Sequence, residues 1–434
     1  MNNKNLFGWI MIIFLSLIPV GLWYFQGTGY VSLSNYNDIT YSLGRIFGLM
    51  GMTMFALTFV LSTRLKFVEE IFGGLDKSYI AHGILGGTAL IMIMAHPILL
   101  VLKFIPDNIP VAAKYLIPGG VWSVDFGIIA LAIMIFLIYL TLYSKIVYNK
   151  WKFTHEFLGL VFIFAVLHIF LIRSTIAIDD IFPGYYVYAS LVSMIGLISF
   201  VYSLLVRKES KEKEYRISSI KQINNEVYEI RMVPIKEPIV YRAGQFVFLS
   251  FHNKELSKEQ HPFSIASKSN DKEIKVVVKS LGDFTSRLAH LKPGNKVFVE
   301  GPYGMFNEKH SEKDCVWLAA GIGITPFMGM AEDFAHHGKN RVHLFYSVRG
   351  HEHLIGINEL REVEQKNDKF KVIPWITHTN GHLGIKEITN VVGNLRDKEF
   401  YLCGPSAFKD SLVNALLEAG VSKGQIHMEE FQFK

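Results

Sequence analysis

Cysteine is nearly absent from this chain of 434 residues: there are two, Cys315 and Cys403. Two thiols cannot hold an iron–sulfur cluster or build a disulfide framework. No Cys-x-x-Cys-His run occurs, which excludes covalent c-type haem. Charge is scarce too, with Asp, Glu, Lys and Arg at 19% of residues, where soluble domains carry about 25%. The net charge of +6 is too small to argue for nucleic acid. The scarcity is uneven. Lys and Arg number 44 and Asp and Glu 38, yet only 20 of these lie in residues 1–206. A membrane half followed by a soluble half is implied. An apolar content of 50% excludes intrinsic disorder.

Six apolar segments, near 6–25, 41–61, 79–102, 122–143, 154–172 and 184–206, reach or approach the ~20 residues that cross a bilayer core. The first is long, lacks a small-residue cleavage site and is followed by five more, so it reads as a span and not a cleaved signal. Lys4, Arg64, Lys66, Lys77, Lys145, Lys150, Lys152, Arg207, Lys208, Lys211 and Lys213 gather on one side of this arrangement. Lys103, Lys114, Arg173 and Arg45 lie on the other. The positive-inside rule places both termini and the soluble half in the cytoplasm of a multi-pass cell-membrane protein.

The membrane half holds four histidines: His82 and His96 on the third span, His155 and His168 on the fifth. Spans of the same parity run in the same direction, so His82 levels with His155 near the cytoplasmic side and His96 with His168 near the outer side. Neutral imidazole ligates haem iron, and two such levels would hold two bis-histidine b-type haems. At 1.5 Å per residue the irons would lie about 20 Å apart along the axis. The 14 residues from His82 to His96 leave an offset of about 40°, so the two share a face. The 13 from His155 to His168 leave about 140°, which requires a kinked or rewound fifth helix. Gly86 and Gly159, each four residues after a histidine, would let a flat macrocycle approach or would serve close helix packing. Pro97 predicts a kink in the third span. Asp125 and Glu156 read as interfacial. A metal or proton transporter with a regulatory nucleotide-binding domain is the rival reading, but it needs Asp, Glu or Cys among the ligands. A flavin reductase that the membrane half merely anchors is another.

After a charged linker, 207–213, the pattern changes to short β-rich runs: Val227–Met232, Phe246–Phe251, Ile274–Val278 and Lys296–Glu300. Gly and Pro punctuate them, predicting an antiparallel barrel over 214–310. An α/β pattern over 311–434 follows, with strands at Cys315–Ala320, Val342–Tyr346, Lys371–Trp375 and Phe400–Cys403. The first of these runs into Gly321-Ile322-Gly323-Ile324-Thr325-Pro326. A glycine turn opening a helix presents free N–H groups to a pyrophosphate.

The order is the specific signal: His261-Pro262-Phe263-Ser264 in the barrel, Gly301-Pro302-Tyr303-Gly304, strand–GIGITP–helix, Cys403-Gly404-Pro405, then a C-terminal aromatic. This order resembles the ferredoxin–NADP reductase superfamily over about 214–434. With six spans and two His pairs, the chain resembles the NADPH oxidase and ferric reductase family, and among its members the bacterial single-chain NADPH oxidases.

The resemblance implies that NADPH, or NADH, reduces FAD, and that FAD passes single electrons through inner and outer haems. The acceptor outside would be dioxygen, giving superoxide, or a ferric chelate. His261, Pro262, Phe263 and Ser264 match the flavin motif, with Ser264 near the reactive nitrogen. Thr285 and Lys279 fall where FAD phosphate contacts lie. Gly321, Gly323, Thr325 and Pro326 would bind the NADPH pyrophosphate. Cys403 would lie near the nicotinamide or be a buried small residue. Phe431 matches the aromatic that stacks on the flavin, with Phe433 as substitute. Arg349, after the strand run ending at Val348, would read the 2′-phosphate or be a solvated surface residue. No nucleic acid and no obligatory protein partner is implied. Arg45 and Arg173 would flank the outer haem, and Asp179 and Asp180 are the only adjacent acids on that side.

Overall fold

The computed structural model describes residues 3–25, 35–105, 107–144, 146, 148–172, 184–207, 212–252, 259–307 and 313–429. Expectations placed on Arg173, Asp179, Asp180, Phe431 and Phe433 lie outside these residues. The chain divides between Ser210 and Lys211 into two units.

Six stretches of the first unit are helical, long and apolar enough to cross a membrane. They are α1 (Asn3–Phe25), α2 (Tyr36–Ser62), α4 (Leu75–Leu102), α6 (Trp122–Tyr143), the pair α7 (Tyr148–Glu156) and α8 (Leu158–Leu171), and α9 (Gly184–Val201), which a π-turn extends to Val206. Two short helices, α3 (Lys66–Phe72) and α5 (Ile109–Ala113), lie in connections. At 1.5 Å per residue, the 27 residues of α2 and 28 of α4 extend about 40 Å, longer than a hydrocarbon core of about 30 Å. These two pack along their length, and α6 packs on α8. The core between them is apolar, with Phe55, Phe59 and Phe162 at ring-centroid distances of 5.1–5.3 Å.

The fifth span carries the irregularity that its histidine spacing requires. The helix α4 runs unbroken through Pro97. The fifth span is broken, at Phe157 (φ −66°, ψ −12°). There the amide of Phe157 donates to the carbonyl of Thr154, and the amide of Leu160 to that of Phe157. These are three-residue steps, which wind the chain about 120° per residue, not 100°, and so take up part of the offset between His155 and His168. Asp125 lies in the first turn of α6 and is buried. Its two carboxylate oxygens accept from the Gly119 and Gly120 amides, each at 2.9 Å, and tie the preceding loop to the start of α6. Glu156 is exposed at the end of α7.

The second unit begins with β1 (Glu212–Asn224), inside the stretch expected as linker. With β2 (Val227–Pro234), β3 (Phe246–His252), β4 (His261–Ser264), β5 (Ile274–Lys279) and β6 (Lys296–Tyr303) it forms an antiparallel sheet in the order β4-β3-β6-β1-β2-β5. The sheet curls around Tyr215, Val247, Phe251 and Val297, all fully buried. A parallel sheet follows, ordered β11-β10-β7-β8-β9: β7 (Cys315–Ala320), β8 (Val342–Val348), β9 (Phe370–Ile376), β10 (Glu399–Cys403) and β11 (Ile426–Met428). Helices α10 (Thr325–His337), α11 (Ile357–Lys366), α12 (Ile385–Val392) and α13 (Ser406–Glu418) alternate with its strands. The central strand β7 is covered on both faces, so it reads as an uninterrupted apolar run.

Barrel and α/β region share one core. Val227, Ala243, Val277 and Phe306 pack with Trp317, Phe327 and Tyr401. Polar ties run alongside: the Ser269 amide donates to Asp333 of α10 at 3.0 Å, and the Ser269 hydroxyl to the same carboxylate. Lys275 of β5, only 7% exposed at its side chain, pairs with Glu359 of α11 at 2.8 Å. Glu359→Gln leaves a buried ammonium with a weaker acceptor, and should destabilise this unit by about 1–2 kcal/mol, since Glu359 itself is half exposed. Lys275→Met added to it should recover most of the loss. Thermal unfolding of the detergent-solubilised chain tests both, and no recovery in the double variant would refute the assignment.

Candidate functional site

The first unit places its four histidines in two pairs. The rings of His82 and His155 lie 6.0 Å apart between centroids, and those of His96 and His168 6.2 Å. Each ring is oriented by a neighbouring helix. His82 Nδ1 is 2.9 Å from the Thr58 carbonyl oxygen and His96 Nδ1 is 2.7 Å from that of Gly44, so α2 seats both histidines of α4. His168 Nδ1 is 2.5 Å from the Ser123 carbonyl oxygen, and His155 Nδ1 is 3.3 Å from the Thr141 hydroxyl, so α6 seats both histidines of the broken fifth span.

Three of these four acceptors are carbonyls, which only accept, so those three imidazoles carry their proton on Nδ1. At Thr141 the hydroxyl proton already goes to the Leu137 carbonyl at 2.9 Å, leaving the oxygen lone pair for His155. All four Nε2 atoms are thereby left with a free lone pair, the form that binds metal. A metal ion about 2 Å from each nitrogen, with about 1 Å more from nitrogen to ring centre, would separate the centroids by roughly 6 Å. Both pairs have that separation. Among the described residues, no group of three or more His, Cys, Asp and Glu is placed to hold a metal ion by itself. The donor sets are therefore two-coordinate, which fits an iron whose remaining positions a macrocycle fills.

The space around the His96–His168 pair is an apolar cavity lined by residues such as Met52, Leu131, Met134 and Ala165, with Tyr41 and Arg45 among its polar lining. Glycines admit the rings. A Cβ on Gly48 would come within 2.7 Å of His96 Nδ1, and one on Gly127 within 2.7 Å of His168 Nδ1. Each glycine lies four residues beyond the carbonyl that its histidine uses, one helical turn along the same face. At the other level, Gly86 faces open space except for the Thr58 methyl at 3.9 Å, as a macrocycle seat requires. Gly159 does not: it packs against the Phe200 ring, so close helix packing accounts for it. The pairing residues Thr58, Gly44, Ser123 and Thr141 were not singled out from sequence. Nor was Trp151, which stacks on His155 at 5.3 Å and 26°.

In the second unit, His261-Pro262-Phe263-Ser264 forms β4, paired with β3. Phe263 faces the barrel core and is 9% exposed. Pro262 and Ser264 alternate to the other face. His261 stacks on Phe284 at 3.9 Å and pairs with Glu259. Thr285 Oγ1 accepts from the Leu281 and Gly282 amides, and Lys279 pairs with Glu226 at 3.1 Å, so both have structural partners.

The turn after β7 is open at Gly321 (φ +55°), where an added Cβ would meet nothing within 4 Å. At Gly323 a Cβ would strike the Cys403 carbonyl oxygen at 2.3 Å, so that glycine allows two strand-to-helix turns to touch. Thr325 is buried and donates to the Ile322 carbonyl at 2.7 Å, and Pro326 occupies the first turn of α10. Arg349 is exposed just beyond β8. Cys403 ends β10 in a buried position, where burial pushes its thiol up to about 12. The Glu429 carboxylate adds to that shift and the Lys409 ammonium opposes it.

Residues 47–166 match the family described as ferric reductase like transmembrane component, 212–307 an FAD-binding domain and 317–413 an oxidoreductase NAD-binding domain. The chain is similar to the ferredoxin reductase component of 3-ketosteroid-9-alpha-monooxygenase from Rhodococcus rhodochrous, 27% identical over 202 residues, 45% of this chain and 58% of that protein. It is also similar to a flavohemoprotein of Vibrio cholerae, 26% identical over 204 residues, 44% of this chain and 51% of that one. The chain thus spans little more than half the length of these relatives. Among solved structures, flavohemoglobin from Malassezia yamatoensis has a TM-score of 0.50 at 16% identity over 92% of this chain and 99% of that one, a likeness of fold alone.

A thiol held near 12 remains protonated and unreactive at ordinary pH. At pH 8, Ellman's reagent should therefore label neither Cys403 nor the buried Cys315 in the folded chain, and both after denaturation. A thiol that reacts promptly in the folded chain would contradict this environment.

Proposed function

We propose that this chain, a ferric reductase-like transmembrane component fused to FAD-binding and NAD-binding oxidoreductase domains, carries electrons from cytosolic NADPH through FAD and two b-type haems to dioxygen outside, giving superoxide. The observation that supports it most is the double pair of imidazoles, each with Nδ1 engaged and its ring about 6 Å from its partner's. Flavin supplies the conversion of a two-electron donor into single electrons, and haem iron supplies their relay across an apolar span.

The residues of this chain bind and orient. His82 with His155 would hold the inner iron, and His96 with His168 the outer. Carbonyl and hydroxyl seats fix each ring's tautomer before any ligand arrives, so little reorganisation accompanies binding. The open turn at Gly321 and the start of α10 offer amides to a pyrophosphate. Ser264 and Pro262 offer the face of β4 to flavin, and Phe431 would cover the flavin face on which nicotinamide stacks. Neutral, buried Cys403 would line that place without acting as a nucleophile. No acid–base pair is required.

His96 and His168, if both hold the outer iron, would leave an acceptor no place on it. Reduction would occur at the edge of the cavity, where Arg45 lies 5.7 Å from the Tyr41 ring and Lys103 lies 4.3 Å from the same ring. Two cations there favour an anionic product. They would also attract an anionic ferric chelate, and the ferric reductase-like match supports that second reading.

The test begins with a reduced-minus-oxidised spectrum of purified protein. Two low-spin b-type haems with FAD are expected, falling to one haem in His96→Ala and in His168→Ala with NADPH-to-FAD reduction retained. Cytochrome c reduction in air should then be suppressed by superoxide dismutase. Dismutase-insensitive reduction, with ferric citrate reduced equally fast under nitrogen, would favour the metal-chelate reading. Unchanged haem content in both variants would refute the ligand assignment.

Arg349 is proposed to read the 2′-phosphate through its planar fork of donors. Arg349→Ala should raise KM for NADPH about tenfold or more, by the ~1.5–3 kcal/mol of a charge-assisted contact, with little change for NADH. Equal effects on the two nucleotides would rule the role out.

A further inference from the structure

The four histidines are not held alike. His82, His96 and His168 direct Nδ1 at backbone carbonyl oxygens, at 2.9, 2.7 and 2.5 Å. His155 directs it at a side-chain hydroxyl, Thr141 Oγ1, at 3.3 Å, beyond the usual 2.7–3.2 Å range for N–H···O bonds. That hydroxyl donates to Leu137 O at 2.9 Å, and this fixes the direction of its remaining lone pairs. Thr141 therefore has one rotamer-defined role on α6: it gives His155 its acceptor. Trp151, one turn before His155, stacks on its ring and limits its rotation.

Hydrogen bonding at Nδ1 strengthens Nε2 as a donor, and a stronger donor favours oxidised iron. The outer pair has two short bonds to carbonyls. The inner pair has one carbonyl bond and one long bond to a hydroxyl. On the reading that these pairs hold haem, we infer that Thr141 is the positioning residue of the inner site and that its hydroxyl tunes the potential of the inner haem without touching the outer. Three of the seats are main chain and cannot be altered by substituting the seat residue's side chain. Thr141 is the one seat built from a side chain, and so the one through which sequence can tune a single haem.

The test is redox potentiometry of the purified holoprotein, read at the haem absorption bands. His168→Ala identifies the outer wave by its loss. The wave that remains is the inner one. Thr141→Val removes the acceptor at nearly constant volume and should shift the inner wave upward while leaving the outer wave in place. Thr141→Ser, which keeps the hydroxyl, should restore it. If valine costs the inner haem altogether, Thr141→Ala is read in its place. A valine variant in which both waves or neither moves, or in which the inner wave moves downward, would overturn the inference. Absence of haem bands from the unaltered protein would instead overturn the electron-transfer reading, so the two failures are distinct.

Discussion

A buried imidazole with no acceptor for its N–H is costly, and in the first unit that single requirement organises four helices. The α2–α4 and α6–α8 contacts are long apolar seams that could slide by a turn at small cost in dispersion energy. The histidines remove that freedom. A shift of α4 by one turn on α2 would separate His82 from Thr58 O and His96 from Gly44 O together, because both pairs of partners are 14 residues apart on antiparallel helices. Register, tautomer and ring orientation are thus set by the same bonds. The glycines at 48 and 127 then follow from sterics, since any larger residue would push the ring off its carbonyl.

The second unit solves a different problem. Two nucleotide-sized ligands must meet with little room for error, and a hinge between barrel and α/β region would blur their approach. The shared core around Trp317, Phe327 and Phe306, with the Ser269–Asp333 and Lys275–Glu359 ties at its margin, makes the two regions one packed body. The Gly323 contact with Cys403 extends the same logic to the turns that carry the ligand-facing residues.

Much of this was legible in the sequence. The six spans stand out because a bilayer demands apolar length, and the strands of both sheets because glycine, proline and alternation bound them. The four histidines stand out because polar groups are rare in such spans. Their seats did not, since a carbonyl belongs to every residue and carries no side-chain signature. Gly48 and Gly127 are indistinguishable in sequence from Gly159, whose neighbour is a phenylalanine ring. That Phe263 faces the barrel core was not legible either, because a motif gives a run of residues and not which of them face inward. The strands β4 and β11 were missed because runs of 4 and 3 residues carry too little periodicity to register, and β1 because its many charged and polar residues hide its alternation.

The break at Phe157 changes how a span should be measured. A tight turn rises about 2.0 Å per residue where the α-helix rises 1.5 Å. Ten α-helical residues and three tightly wound ones therefore climb about 21 Å, the same height as fourteen regular residues. Thirteen residues on the fifth span thus match fourteen on the third, and the two ladders keep level rungs despite unequal counts. Height across the bilayer is the conserved physical quantity here, and local winding is the adjustment that lets chains of different length reach it.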